Sequence, residues 1–134
     1  MRVFVKLALG VGLALFGLVT SAHHAAQAQF DVESQLSFVG KLTKVEMINP
    51  HPQLYFDVAG AEDPDGKDKT VAWRVEAPSV AILRRIGILR SLQVGEAYSI
   101  EFAPSRDGSP VALMIALTNP QGQRFGVNLG GVAY

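Results

Sequence analysis

The stretch from Thr70 to Gly87, TVAWRVEAPSVAILRRIG, changes its hydrophobic period midway. Val71, Trp73 and Val75 fall on one face and Arg74 and Glu76 on the other, the period of two that belongs to a half-buried strand. Pro78 and Ser79 are helix-start residues, and after them Val80, Leu83 and Ile86 recur at helical spacing. Gly87 supplies a natural C-cap, so the helix has about two turns. A strand that hands over to one short helix is the hinge of the whole assignment.

Upstream, the period of two persists. Leu36, Phe38 and Leu42 share a face, and Val45 and Met47 continue in the opposite phase. With Gly40 nearby, the slip predicts a long first strand bent by a bulge. Asn49-Pro50-His51-Pro52 ends it, because proline donates no ladder hydrogen bond. Leu54, Phe56 and Val58 then point inward and Tyr55 and Asp57 outward in a second strand. The polar run from Gly60 to Lys69 is a turn leading into the third. Downstream of the helix, Tyr98, Ile100 and Phe102 form a fourth strand. Asp107-Gly108-Ser109-Pro110 is a turn, the apolar run Val111 to Leu117 a central fifth strand, and Arg124 to Val127 a short sixth segment. Three strands, a helix and further strands is the element order of an OB-type barrel. Short strands with one small helix cannot cover an open sheet, so closure is the economical way to bury their apolar faces. The predicted class is all-β with one short helix: a small OB-like barrel of five to six strands, with a small β-sandwich as the alternative.

The chain has 134 residues, one domain's worth. Arg2 and Lys6 precede an uninterrupted apolar run from Leu7 to Val19, and Thr20-Ser21-Ala22 follows. This is the three-part pattern of a secretory signal peptide, and the run falls short of the about 20 residues that span a bilayer. Cleavage after Ala22 leaves His23-His24 at the new terminus and is favoured. Cleavage after Ala28, within Ala26-Gln27-Ala28, discards both histidines. The organisation expected is a signal peptide over 1–22, a flexible tail over 23–34, the barrel over 35–127 and a loose tail over 128–134, in a periplasmic or secreted protein with no membrane attachment after leader removal. Without Arg2 and Lys6 the 12 basic residues fall to 10 against 12 acidic ones, a net charge of −2. That balance has no electrostatic footprint for nucleic acid, which is therefore excluded as a partner at this stage. The absence of cysteine excludes disulfides, thiolate metal sites and thiol nucleophiles.

The chemistry that is left centres on histidine. Neutral imidazole is a common metal ligand, and a histidine at a mature N-terminus chelates through its α-amino group as well. His23, His24 and His51 thus offer a nitrogen-only set that suits copper(II), with zinc or nickel behind it. The competing reading makes the pair an unstructured end and lets His51 cap its own turn. The Asp63-Pro64-Asp65-Gly66-Lys67-Asp68 run lacks the flanking helices and terminal acid of a calcium loop and reads as a solvated turn. Arg84, Arg85 and Arg90 form a basic edge on and just after the helix, consistent with its dipole. Trp73 is placed in the core, and Tyr55 on the surface as a weak recognition candidate. Glu46, Asp57, Glu76 and Glu101 lie on strands, all but Glu46 outward. No hydrolase elbow, zinc-protease pair or phosphate-binding glycine loop is present, so no catalytic residues are assigned.

Ala22-His23-His24, Phe30-Asp31, Gly40 to Glu46, Asn49-Pro50-His51, Tyr55 to Val58, Trp73, Leu83 to Gly87, Ser91-Leu92, Gly95-Glu96 and Asp107-Gly108-Ser109 recur here in an order and spacing that resembles the small exported bacterial proteins of the domain of unknown function 6152 family. The resemblance runs over residues 22–126. It implies cleavage beside His23-His24 and marks His51 as part of the shared pattern, and it implies no activity. The function expected is a non-enzymatic exported barrel that binds a transition metal, copper foremost, through His23, His24 and His51. The alternative is a metal-free module for a periplasmic protein partner.

Overall fold

The computed structural model describes residues 27–60 and 69–127. The leader, His23, His24, the acidic turn 63–68 and the C-terminal tail 128–134 lie outside the described residues. Six strands follow in order: β1 (Leu36–Glu46), β2 (Gln53–Ala59), β3 (Thr70–Glu76), β4 (Ala97–Pro104), β5 (Val111–Thr118) and β6 (Arg124–Gly126). The helix α1 (Val80–Ile86) stands between β3 and β4, with a 3-10 turn at Ile88–Arg90. Gly87 closes α1 at φ 84°, the left-handed cap that the sequence requires.

The sheet order is β3-β2-β1-β4-β5-β6, and β3 also pairs with β5, so the first five strands close on themselves. The closing ladder is parallel and short, through Arg74↔Val111, Val75↔Ala112 and Glu76↔Leu113. The other pairings are antiparallel. This is the expected OB-type barrel, with β6 as an added strand on β5.

Closure depends on β1. Its first half, Leu36 to Lys41, pairs with β4, and its second half, Gly40 to Glu46, pairs with β2. One strand therefore serves two neighbours and must coil sharply where the ladders overlap, at Gly40 and Lys41. The register slips between Leu42 and Lys44, so the extra residue of the bulge is Thr43, slightly downstream of the position expected near Gly40. The bulge returns Val45 to the core side, which is why the apolar phase reverses along β1.

The barrel interior is filled by Leu42, Leu54, Phe56, Val75, Tyr98, Ile100, Met114 and Leu117, all at most 1% exposed. Leu83 of α1 and Ile88 of the 3-10 turn join the same cluster. Trp73 packs among them, its ring centroid 5.4 Å from that of Phe38 and 5.1 Å from that of Phe102, as its phase in the sequence requires. In β5 the alternation disappears because both faces are covered, with every residue from Ala112 to Leu117 buried.

The cover on the outer face of β5 comes from a segment that the sequence reading assigned to a flexible tail. Phe30 is 1% exposed and packs with Ala103, Leu113 and Ile115. The backbone is tied down on both sides of it. Asp31 N–H donates to Pro104 O at 2.9 Å, and Arg106 donates from its backbone N–H to Gln29 O and from Nε to Gln27 O. Asp31 O then accepts from Ser34 N–H at 3.1 Å. Residues 30–34 therefore belong to the domain, because the outward apolar side chains of β5 are buried only when Phe30 lies over them.

Candidate functional site: a polar cluster at the head of the second strand

Pro50 and Pro52 bracket His51 and leave it without ladder neighbours, so β2 begins only at Gln53. The peptide between Asn49 and Pro50 is cis. Ala77 N–H donates to Pro52 O at 2.9 Å, which fixes this turn against the end of β3. Gln53 pairs with Glu46 on one side and with Glu76 on the other. Since Leu54 and Val75 face the core, Gln53 and Glu76 project from the outer face.

There His51 Nδ1 lies 2.7 Å from Glu76 Oε1, with the side chains only 17% and 24% exposed. Carboxylate oxygens accept, so Nδ1 is the donor of this pair. A carboxylate behind an imidazole is the arrangement that orients metal-binding histidines and raises their basicity. Gln53 is 7% exposed, its Nε2 donates to His51 O at 3.1 Å, and its Oε1 has no hydrogen-bond partner among the described residues. Across the closing ladder, Glu76 is registered with Leu113, on which Phe30 packs. The cluster and the amino-terminal segment thus share one outer face of the barrel.

Of the three histidines expected to gather, the described residues contain His51 alone, and no group of three His, Asp or Glu forms among them. Glu76 and Gln53 are the residues that sequence reasoning missed. Their outward phase was visible; their register was not, because it depends on the span between β2 and β3.

The other candidates are committed elsewhere. Tyr55 donates to Glu46 Oε2 at 2.8 Å, and Lys44 Nζ stands 5.2 Å from the centre of its ring. Hydrogen bonds from Lys44 and then from Tyr55 hold the Glu46 carboxyl below its ordinary range. Arg84 and Arg85 occupy the last turn of α1 and are exposed. Glu101 and Arg124 form a two-pronged pair at 2.7 and 2.6 Å that clamps β6 across β5. A cavity of about 250 Å³ lies at the far end, lined by Arg90, Ser91, Gln93, Glu96, Tyr98, Pro120 and Gln121. Among the described residues no helix is long and apolar enough to cross a membrane.

The class is a small closed barrel of OB type, with a half-buried histidine–carboxylate pair at one strand end. The chain belongs to the family of unknown function DUF6152, whose model matches residues 12–114. No curated protein matches it. Among solved structures it is similar to the mitochondrial single-stranded DNA binding protein of S. cerevisiae, at 12% identity and a TM-score of 0.46, covering 65% of this chain and 93% of that one. It is also similar to a small single-stranded DNA-binding protein of Streptomyces coelicolor, at 18% identity and a TM-score of 0.44, covering 67% and 94%. These likenesses are of fold and carry no activity across. They do correct the exclusion of nucleic acid: proteins named for binding single-stranded DNA have barrels of this kind, so net charge alone does not remove that partner from consideration.

Proposed function

We propose that this protein is an exported, non-catalytic barrel that binds copper(II) at the head of β2, through His51 together with His23 and His24. The observation that carries the proposal is the 2.7 Å bond between His51 Nδ1 and Glu76 Oε1, the carboxylate contact that orients metal-binding histidines. Two features support it. The leader pattern from Arg2 to Ala22 directs the chain to an oxidising compartment, where a nitrogen donor set suits copper(II). The docking of Phe30 on Leu113 brings the amino-terminal segment onto the face that bears Glu76.

Titration calorimetry of the exported protein with Cu(II) tests this, together with its intact mass. One equivalent of Cu(II) is expected to bind. His51→Ala lowers the affinity more than about tenfold, and Glu76→Ala, which removes the orienting carboxylate, lowers it by about 10-fold or more. An affinity indifferent to His51→Ala rejects the site. So does a mature mass that begins at Gln29, because both His23 and His24 are then gone.

A further inference from the structure

We infer that the cavity beside the start of β4 is a binding site for a small zwitterion, of the size of a free α-amino acid, held through Arg90 and Glu96. None of the residues involved belongs to the cluster at the head of β2, so the site stands apart from the copper reading.

The cavity forms where two connections meet. Ser99 of β4 pairs with Thr118 of β5, so the loop that leads into β4 and the turn that leaves β5 stand side by side. Both walls are fixed by hydrogen bonds of their own. In the first, the hydroxyl of Tyr98, a residue 1% exposed, accepts from Gln93 N–H at 2.8 Å and donates to Ser91 O at 2.6 Å. Glu96 O accepts from Leu42 N–H at 2.9 Å, which anchors that wall to β1. In the second, Asn119 Oδ1 accepts from the N–H groups of Gln121 and Gln123 at 3.1 and 2.8 Å. A ligand therefore meets a backbone already in place and has no loop to order on binding.

The side chains, in contrast, are uncommitted. Arg90, Gln93, Glu96 and Gln121 line the cavity, and among the described residues none of these side chains has a hydrogen bond or ion pair. Opposite charges that face one cavity without neutralising each other define the ligand. A lone anion drawn to Arg90 meets the Glu96 carboxylate, and a lone cation drawn to Glu96 meets the Arg90 guanidinium. One molecule carrying both charges satisfies both, its carboxylate on the guanidinium fork and its ammonium on the carboxylate. The two glutamine amides supply donors and acceptors for its remaining polar atoms. With the Tyr98 ring buried, Pro120 is the apolar part of the lining, and the cavity offers no aromatic face on which a ring could stack. Its volume, about 250 Å³, matches roughly eight water molecules at about 30 Å³ each. That lies below the about 300–1,000 Å³ of pockets for drug-sized ligands and limits the occupant to a single small molecule.

The probe is L-serine, titrated into the isotope-labelled protein and followed by the amide resonances of the two walls. Acetate, ethylamine and glucose are the single-charge and neutral controls. Serine is expected to shift the amides of Gln93 and Gln121 saturably, and each control to bind at least about tenfold more weakly. Arg90→Ala and Glu96→Ala each lower the affinity for serine by about tenfold or more, whereas Arg90→Lys keeps part of it. Both side chains are exposed, so the variants fold, and melting temperatures equal to wild type check this. The absence of a saturable shift with serine overturns the proposal. So does serine binding that survives both alanine variants, or binding of acetate or ethylamine as tight as that of serine. Tighter binding of glucose overturns it too and marks a site for neutral polyols. None of these outcomes bears on the copper reading, which His51→Ala tests by itself.

Discussion

Asp107 shows how much a single exposed side chain can organise. Its Oδ1 accepts from Ser105 Oγ at 2.8 Å, from Ser109 N–H at 2.9 Å and from Ser109 Oγ at 2.6 Å, which folds the turn between β4 and β5. The hydroxyl and backbone N–H of Ser109, followed by the Ser105 hydroxyl, lower its pKa to about 2, from an ordinary 3.8. A carboxyl depressed by folding stabilises the native state above its unfolded pKa and loses that contribution as pH falls through the folded value. Asp107→Asn is therefore expected to melt below wild type at pH 5 and above, and the gap to close between about pH 4 and pH 2. Thermal melting at a series of pH values reads this, and a gap that is constant down to pH 2 contradicts it. The Asp-Gly-Ser turn was legible in the sequence because its residues act on their immediate neighbours. Glu76 and Gln53 were not, because their partner lies at the far end of a hairpin and only the ladder brings them together.

At the scale of the element, β1 carries the argument. A strand that pairs with β4 through one half and β2 through the other cannot stay flat, and Gly40 sits where the two ladders meet. A Cβ placed there meets Val58 Cγ2 at 2.9 Å, Phe56 Cβ at 3.1 Å and Asp57 O at 3.2 Å. Gly40→Ala is expected to cost about 1–3 kcal/mol through overpacking, since the obstacles include backbone. Gly87 differs in kind: nothing lies within 4 Å of its Cβ position, but its φ is 84°. Gly87→Ala pays for backbone strain alone, at roughly 1–2 kcal/mol. Urea unfolding separates the two cases, because enlarging the neighbouring space with Val58→Ala should recover part of the Gly40→Ala loss and none of the Gly87→Ala loss. The existence of the bend was readable from the phase slip between Leu42 and Val45. The position of the extra residue at Thr43 was not, because either side of the slip satisfies the same apolar pattern.

For the whole molecule, closure and cover are one problem. The order of elements announced a barrel, and the alternation in β2 and β3 announced which faces were inside. The unbroken apolar run of β5 announced burial on both faces, yet the sequence did not say what lies over the outer one. Phe30 supplies that cover, along with Val32, from a stretch whose small and polar residues resemble a linker. The bonds from Arg106 Nε to Gln27 O, from Arg106 N–H to Gln29 O and from Asp31 N–H to Pro104 O make the segment part of the fold. A chain that begins at Gln35, the boundary the composition favours, exposes Leu113 and Ile115 and leaves the closing ladder of β3 on β5 bare on one side. It is expected to lose about 3–5 kcal/mol relative to a chain that begins at His23, and Phe30→Ala in the longer chain most of that amount, as burial of one aromatic side chain dictates. Equal urea midpoints for the two chains would mean that the barrel is complete without its amino-terminal segment. The same segment follows His23 and His24 in the chain and lies on the face that bears Glu76. On the proposed copper reading, Phe30→Ala is expected to weaken Cu(II) binding even though Phe30 has no donor atom, and calorimetry on that variant separates a site assembled by the fold from histidines that find the metal as a loose tail.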